Sequence, residues 1–174
     1  MDRTQLARRV KEAAYLEGDF TLRSGRKSKY YLDKYLFETQ PDILKALGEM
    51  FVKYVAESTT LIAGAELGGI ALAAAASMAA GKPFVIIRNT KKDYGTKKPY
   101  EGKLSDGDSV LVVEDIATTG GQVLEAAKFI KGIGANVERI VCVIDRQEGA
   151  RENIEEAGFT FDALFTKADL GIAS

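Results

Sequence analysis

Apolar residues recur along this chain with helical spacing in some stretches and as unbroken runs in others. Leu6, Val10, Ala13 and Ala14 put one apolar face on residues 2–17, with Gly18 as the stop. Ile43, Leu44, Leu47, Phe51 and Val55 do the same over residues 42–57, entered through Pro41. Short apolar runs at 59–63, 83–88, 110–113, 137–144 and 159–165 have no polar alternation, the pattern of strands buried on both faces. An Ala-rich helix over 70–80, a helix carrying Val123, Ala127 and Ile130, and a short helix over 151–157 separate them. Strands therefore alternate with helices, which predicts an α/β fold with a central parallel sheet covered on both faces. Residues 19–33 stand outside that rhythm. They read as two short strands around a Ser24-Gly25 turn, a small hood over the carboxyl edge of the sheet.

Composition narrows the function more than the fold. A length of 174 residues fits one domain, and 46% hydrophobic with 28% charged residues is an ordinary soluble composition. A net charge of −1 lacks the global basic bias of nucleic-acid binders, so no nucleic-acid partner is expected. No apolar run approaches a membrane span, and Met1-Asp2-Arg3-Thr4 has no apolar signal region, which points to the cytoplasm and to no membrane partner. The chain has one cysteine and no histidine, so zinc clusters, disulfides and Ser-His or Cys-His chemistry are excluded. Cys142, inside an aliphatic run, reads as a buried structural thiol. Proton transfer is left to Asp, Glu, Lys, Tyr or the substrate.

The densest chemistry lies at residues 110–122. Four apolar β-formers run into Glu114 and Asp115, then into Ile116, Ala117, Thr118, Thr119, Gly120, Gly121 and Gln122, and then into a helix. Acids at the carboxyl end of a strand stand where open α/β sheets hold ligands. The Thr118–Gly121 loop offers backbone amides and a helix N-terminus to a phosphate. It is not a P-loop, because Gln122 and Val123 follow Gly121 where Lys and Ser or Thr are required, nor a dinucleotide fingerprint, because its glycines are adjacent. The alternative is a tight turn with two solvated acids. Acids for hydroxyls beside amides for a phosphate suit a ribose 5-phosphate.

Other segments each carry a plain and a functional reading. The cationic turn within 19–33 is a solvated hairpin tip or a lid over an anion. Residues 64–69 pack tightly or form an amide nest for an anion such as pyrophosphate. Residues 89–102, with Lys91, Lys92, Tyr94, Lys97 and Lys98, are a charged surface loop or a mobile cationic flap. Arg146, at the end of a strand, makes a structural ion pair or grips a carboxylate.

Taken together, the chain resembles the orotate phosphoribosyltransferases over nearly its whole length. Besides the 114–122 motif, which is similar to the PRPP-binding motif of type I phosphoribosyltransferases, three stretches carry the likeness. They are Phe20-Thr21-Leu22-Arg23-Ser24-Gly25-Arg26-Lys27-Ser28, Lys92-Asp93-Tyr94-Gly95-Thr96-Lys97, and Asp145-Arg146-Gln147. The resemblance implies the type I phosphoribosyltransferase fold over 1–174, with a hood segment at 1–37 and a PRPP-binding core at 38–174. It also implies transfer from PRPP to orotate with Mg²⁺, held mainly through PRPP, in a homodimer whose flap is shared across subunits. By the same resemblance Lys92 and Asp115 are catalytic. Arg88, Asn89, Lys92, Tyr94, Glu114, Asp115 and residues 116–122 bind PRPP. Arg23, Tyr31, Leu32, Thr118 and Arg146 bind orotate. Asn89 stands where the family commonly has Lys, Gly68 where many bacterial members have Lys, and Tyr94 where bacterial members have His. The rivals are an enzyme of this fold for another base and a PRPP- or nucleotide-sensing regulator without the chemistry.

Overall fold

The first helix forms because its N-terminus is closed by local chemistry. Asp2 and Gln5 make a reciprocal capping box at the start of α1 (Arg3–Ala14), and Leu6, Ala7, Val10 and Ala14 are buried along its inner face. The computed structural model describes residues 1–21, 25, 27–89 and 98–172. α1 ends before residue 17, because Tyr15 turns extended and opens strand β1 (Tyr15–Thr21), paired antiparallel with β2 (Lys27–Leu32). Cross-strand pairing of Tyr15 with Leu32, and stacking of Tyr15 on Tyr30 at 5.5 Å, outweigh one more helical turn. Gly18 thus sits in the irregularity between Glu17 and Phe20, not at a helix stop.

A short helix, α2 (Lys34–Glu38), follows, with Asp33 accepting a hydrogen bond from the Tyr35 amide at 3.1 Å. α3 (Pro41–Phe51) starts at its proline and closes in a single 3₁₀ turn, Val52–Tyr54, short of residue 57.

The main sheet has six strands in the order β5-β4-β3-β6-β7-β8. They are β3 (Leu61–Ala65), β4 (Phe84–Ile87), β5 (Tyr100–Glu101), β6 (Ser109–Ala117), β7 (Asn136–Asp145) and β8 (Phe161–Thr166). Helices α4 (Gly68–Ala80), α5 (Gly121–Gly132) and α6 (Ala150–Glu156) connect them. The expectation of a wholly parallel sheet needs one correction: β5 pairs antiparallel with β4, through Ile86↔Glu101 and Ile87↔Tyr100. That strand needs no crossover helix, because the chain returns directly alongside the strand it has just left.

Alternation along β6 explains why its apolar run is unbroken. Leu111 and Val113 join the core under α1, α3 and α4, whereas Val110 and Val112 join the core under α5 and α6. Cys142 is free and buried, and burial pushes its thiol well above the usual range, as an inert core residue requires. Among the described residues no helix is long and apolar enough to cross a membrane. The carboxyl ends of β3, β4, β6, β7 and β8 share one edge of the sheet, and the site lies there.

Candidate active site

β6 does not stop at its acids. It continues through Glu114 and Asp115 to Ala117, with Glu114 beside Cys142 and Ala117 beside Asp145 of β7. Pairing with β3 as far as Val113 and with β7 past the acids holds the carboxylates on a rigid strand, and both are buried, at 6% and 2% exposure. Glu114 accepts the Asp115 amide at 2.9 Å, and Asp115 Oδ1 accepts the Ile116 amide at 2.5 Å. Burial, then repulsion from Asp115, holds the Glu114 carboxyl above the usual range.

Asp115 Oδ2 accepts a hydrogen bond from Lys34 Nζ at 2.7 Å. Glu38, four residues further along α2, is 3% exposed, and among the described residues its Oε1 has no hydrogen-bond partner. Burial first, and the Asp115 charge second, raise its pKa to about 8. The backbone of Gly68 closes this corner. A Cβ there would lie 1.8 Å from Asp115 Oδ2 and 3.0 Å from Glu38 Oε1, so only glycine fits.

The α5 end of the site is built differently. Gly120, at φ +76°, turns the chain into α5, and no side chain caps that helix. Its first-turn amides are left for a ligand, at the positive end of the helix dipole. The loop is fixed from behind: Asn153 Nδ2 donates to the Thr119 carbonyl at 2.9 Å, and the Arg146 amide donates to the Ala117 carbonyl at 3.0 Å.

Both ends open into one cleft of about 1210 Å³. Glu114, Asp115, Ile116, Ala117, Thr118, Thr119, Gly120, Gly121, Gln122, Tyr31 and Arg146 all line it, as do Lys34, Phe20, Thr21 and Glu148. Arg146 is also paired with Glu148 at 3.0 Å, so the ion pair and the cleft position occur together. Arg88 and Asn89 stand beside the cleft at the end of β4. The Asn89 amide donates to Glu66 Oε1 at 2.6 Å, and Gln122 Nε2 donates to the Glu66 carbonyl at 2.9 Å, which joins this group to the cleft wall. Arg88 lies 3.6 Å from Glu101 and 3.9 Å from Glu66. Leu32 is 6% exposed and packs into the core, away from the cleft lining. Arg23, Lys92 and Tyr94 fall outside the described residues.

Sequence reasoning missed Lys34, Glu38 and Glu66. The one signal was the spacing of Lys34 and Glu38, which reads as an exposed i,i+4 pair on a helix. Both instead turn inward to Asp115.

The family model of the phosphoribosyl transferase domain matches residues 36–167. Orotate phosphoribosyltransferase of Methanocella arvoryzae is 44% identical over 168 residues, covering 96% of both chains. That of Halobacterium salinarum is 49% identical over 153 residues, 88% of this chain and 87% of the other. The chain belongs to the orotate phosphoribosyltransferase family. The solved Mycobacterium tuberculosis orotate phosphoribosyltransferase agrees at a TM-score of 0.89 and 32% identity, over 99% of this chain and 100% of that one. In its complex with 5-phospho-α-D-ribosyl 1-diphosphate (PRPP) the same enzyme agrees at 0.84. Hairpin, α2 and mixed sheet alike therefore belong to the orotate phosphoribosyltransferase fold. An 18% identical adenine phosphoribosyltransferase from Leishmania donovani shares the fold at a TM-score of 0.71, so the sheet and its helices do not by themselves select the base.

Proposed function

We propose that this protein transfers the ribose 5-phosphate of PRPP to orotate, releasing orotidine 5′-monophosphate and pyrophosphate, as a step of pyrimidine synthesis in the cytoplasm. One observation carries the reading: a buried acid pair and an uncapped helix N-terminus face the same cleft from adjacent ends of one strand and one helix. Glu114 and Asp115 accept hydrogen bonds from the ribose hydroxyls, and the amides of residues 117–121 hold the 5-phosphate. Those two anchors fix the sugar, so its anomeric carbon is presented to the base in one orientation. Orotate sits between Tyr31 and Arg146, with Arg23 and Thr118 completing its polar contacts. A guanidinium at that place favours a base bearing a carboxylate. Leu32 supports the orotate wall from the core side.

Cleavage at the anomeric carbon develops oxocarbenium character while negative charge gathers on the departing pyrophosphate. Cations that meet that charge more closely in the transition state than in the ground state raise the rate. Lys92 is the main such cation, assisted by Arg88, Asn89 and Tyr94, and the flap that carries it excludes water from PRPP. Among the described residues no group of three ligating side chains could hold a metal ion. The donors present therefore fit Mg²⁺ that arrives on the oxygens of PRPP, where it supplies charge neutralisation for the leaving group. Residues 1–37 act as a hood and 38–174 as the PRPP-binding core, a division supported by the family match beginning at residue 36. The active unit is a homodimer in which the flap serves the neighbouring site.

The test is loss of orotate absorbance with purified protein, PRPP and Mg²⁺, beside a Lys92→Ala control. Removing one transition-state donor typically costs about 2.7–4 kcal/mol, so the control loses ~10²–10³ of kcat. Turnover of adenine or another base in place of orotate would overturn the assignment.

A further inference from the structure

Three carboxyl groups crowd the acid corner of the cleft, and burial with mutual repulsion holds Glu38 and Glu114 above the usual range. Glu38, Glu114 and Asp115 are each buried, at 3%, 6% and 2% exposure, and Glu38 and Asp115 meet at Gly68, a position with no room for any side chain. Lys34 provides the positive charge that reaches them, at 2.7 Å from Asp115. Its ammonium also lies 5.3 Å from the Tyr35 ring centroid, while its stem lines the cleft. Among the described residues the remaining groups bearing on the corner are acidic or neutral: Asp33 and Tyr35 from the α2 segment, Glu114 and Asp115 from β6.

We propose that Lys34 is a positioning residue for PRPP: its ammonium is the built-in counter-ion of Asp115, holding that carboxylate aimed into the cleft before the sugar arrives. The inference rests on the reading of Glu114 and Asp115 as ribose-binding acids. A buried carboxylate without a partner takes up a proton and then donates where it should accept. Two ribose hydroxyls require an acceptor. Burial lowers the affinity of Lys34 for its proton, but the hydrogen bond and charge of Asp115 overrule that, and its pKa is raised. Glu38 gives the second, independent sign that charge at this corner is arranged for a ligand. Its Oε1 is buried and unpaired among the described residues, beside the same Gly68 backbone.

Because α2 supplies both Lys34 and Glu38, this single turn of helix sets the electrostatics of the sugar site from outside the PRPP motif. Lys34 does not touch the reacting bond in this scheme. Its loss is read in PRPP binding and in pH dependence, and less in the chemical step.

The experiment compares wild type, Lys34→Met and Lys34→Arg for kcat, KM for PRPP, and kcat/KM for PRPP across pH 6 to 9, with PRPP affinity by calorimetry in Mg²⁺ and a thermal melt of each. Loss of one charge-assisted contact is expected to raise KM and Kd for PRPP roughly tenfold in Lys34→Met, with kcat within a few-fold. The acid limb of kcat/KM moves to higher pH, because carboxylates without a counter-ion ionise later. Lys34→Arg restores the limb. If Lys34→Met does not fold, Lys34→Met combined with Glu38→Gln relieves the crowding of buried acids at the corner and carries the same expectation. An unchanged PRPP affinity and acid limb in a folded variant overturns the proposal, as does a uniform loss of kcat with no shift of the limb. Wild type that binds PRPP without consuming orotate sinks the enzyme reading instead, and the calorimetric arm still decides Lys34.

Discussion

The two ends of the cleft hold opposite chemistries by opposite means. On the proposed reading the α5 end is the phosphate end, where backbone amides and a helix dipole await an anion, with Gly120 as the turn and no capping side chain. The α2 end is then the sugar end, where buried carboxylates await hydroxyls beside Lys34 at 2.7 Å and a bare Gly68 backbone. Backbone amides cannot change their charge with pH, and they cost little to leave facing solvent. Buried acids are costly without partners and titrate readily. The phosphate end is therefore expected to be robust to pH and sensitive to backbone shape, and the sugar end the reverse.

The sharpest way to break that contrast is to remove the acid. Asp115→Ala deletes an acceptor of hydroxyl hydrogen bonds and leaves Lys34 without its partner. At about 1.5–3 kcal/mol for each hydrogen bond to a charged group, kcat/KM for PRPP should fall ~10²-fold or more. Stability should fall by about 1–3 kcal/mol, less than the loss of a fully buried partner, because Lys34 keeps 30% of its side chain in water. Steady-state kinetics and a urea titration read the two separately. An Asp115→Ala protein with unaltered PRPP kinetics would falsify the sugar-site assignment.

A smaller effect probes the other end. Gly120→Ala places a Cβ at φ +76°, 2.9 Å from Ile154 Cδ1. Left-handed backbone costs an L-residue roughly 1–2 kcal/mol, while the tip of Ile154 can move aside cheaply. A fall in Tm of about 2–4 °C per kcal/mol is expected, with a several-fold rise in KM for PRPP and no change in its pH dependence. A shifted pH profile in this variant would mean that the two ends are not chemically separate.

The same contrast governs what could be read from sequence. Residues 110–122 place strand, acids, turn and helix in one continuous stretch, so the α5 wall of the cleft was legible down to its lining residues. Runs such as 137–144 likewise announce strands buried on both faces. The sugar end is assembled from Lys34, Glu38, Gly68 and Asp115, which the fold alone brings together. A five-residue helix is too short to display a period, and Lys34 and Glu38 look like a solvent-facing pair until Asp115 is placed beneath them. The end of α1 was misjudged for a related reason: Leu32, a distant partner, draws Tyr15 into a strand. The antiparallel β5 escaped notice because two residues carry no pattern.

The smallest expected effect isolates the electrostatics of the sugar end from its contacts. Glu38 has a folded-state pKa of about 8 against an ordinary 4.5, because burial and the Asp115 charge disfavour its ionised form. Below pH 4.5 both folded and unfolded chains hold the proton, and the burial of Glu38 carries no ionisation cost. Between 4.5 and 8 the unfolded chain releases a proton that the folded chain keeps, so stability falls as pH rises and the loss is complete above about 8. Glu38→Gln keeps the shape and removes the titration. Its stability should match wild type near pH 4.5 and exceed it progressively toward pH 8, by at most about 1.4 kcal/mol for each pH unit crossed. Melts at pH 4.5, 6 and 8 read the divergence directly. Two parallel curves would mean that Glu38 titrates normally and that the corner is already neutralised, in which case the sugar end would be as indifferent to pH as the phosphate end.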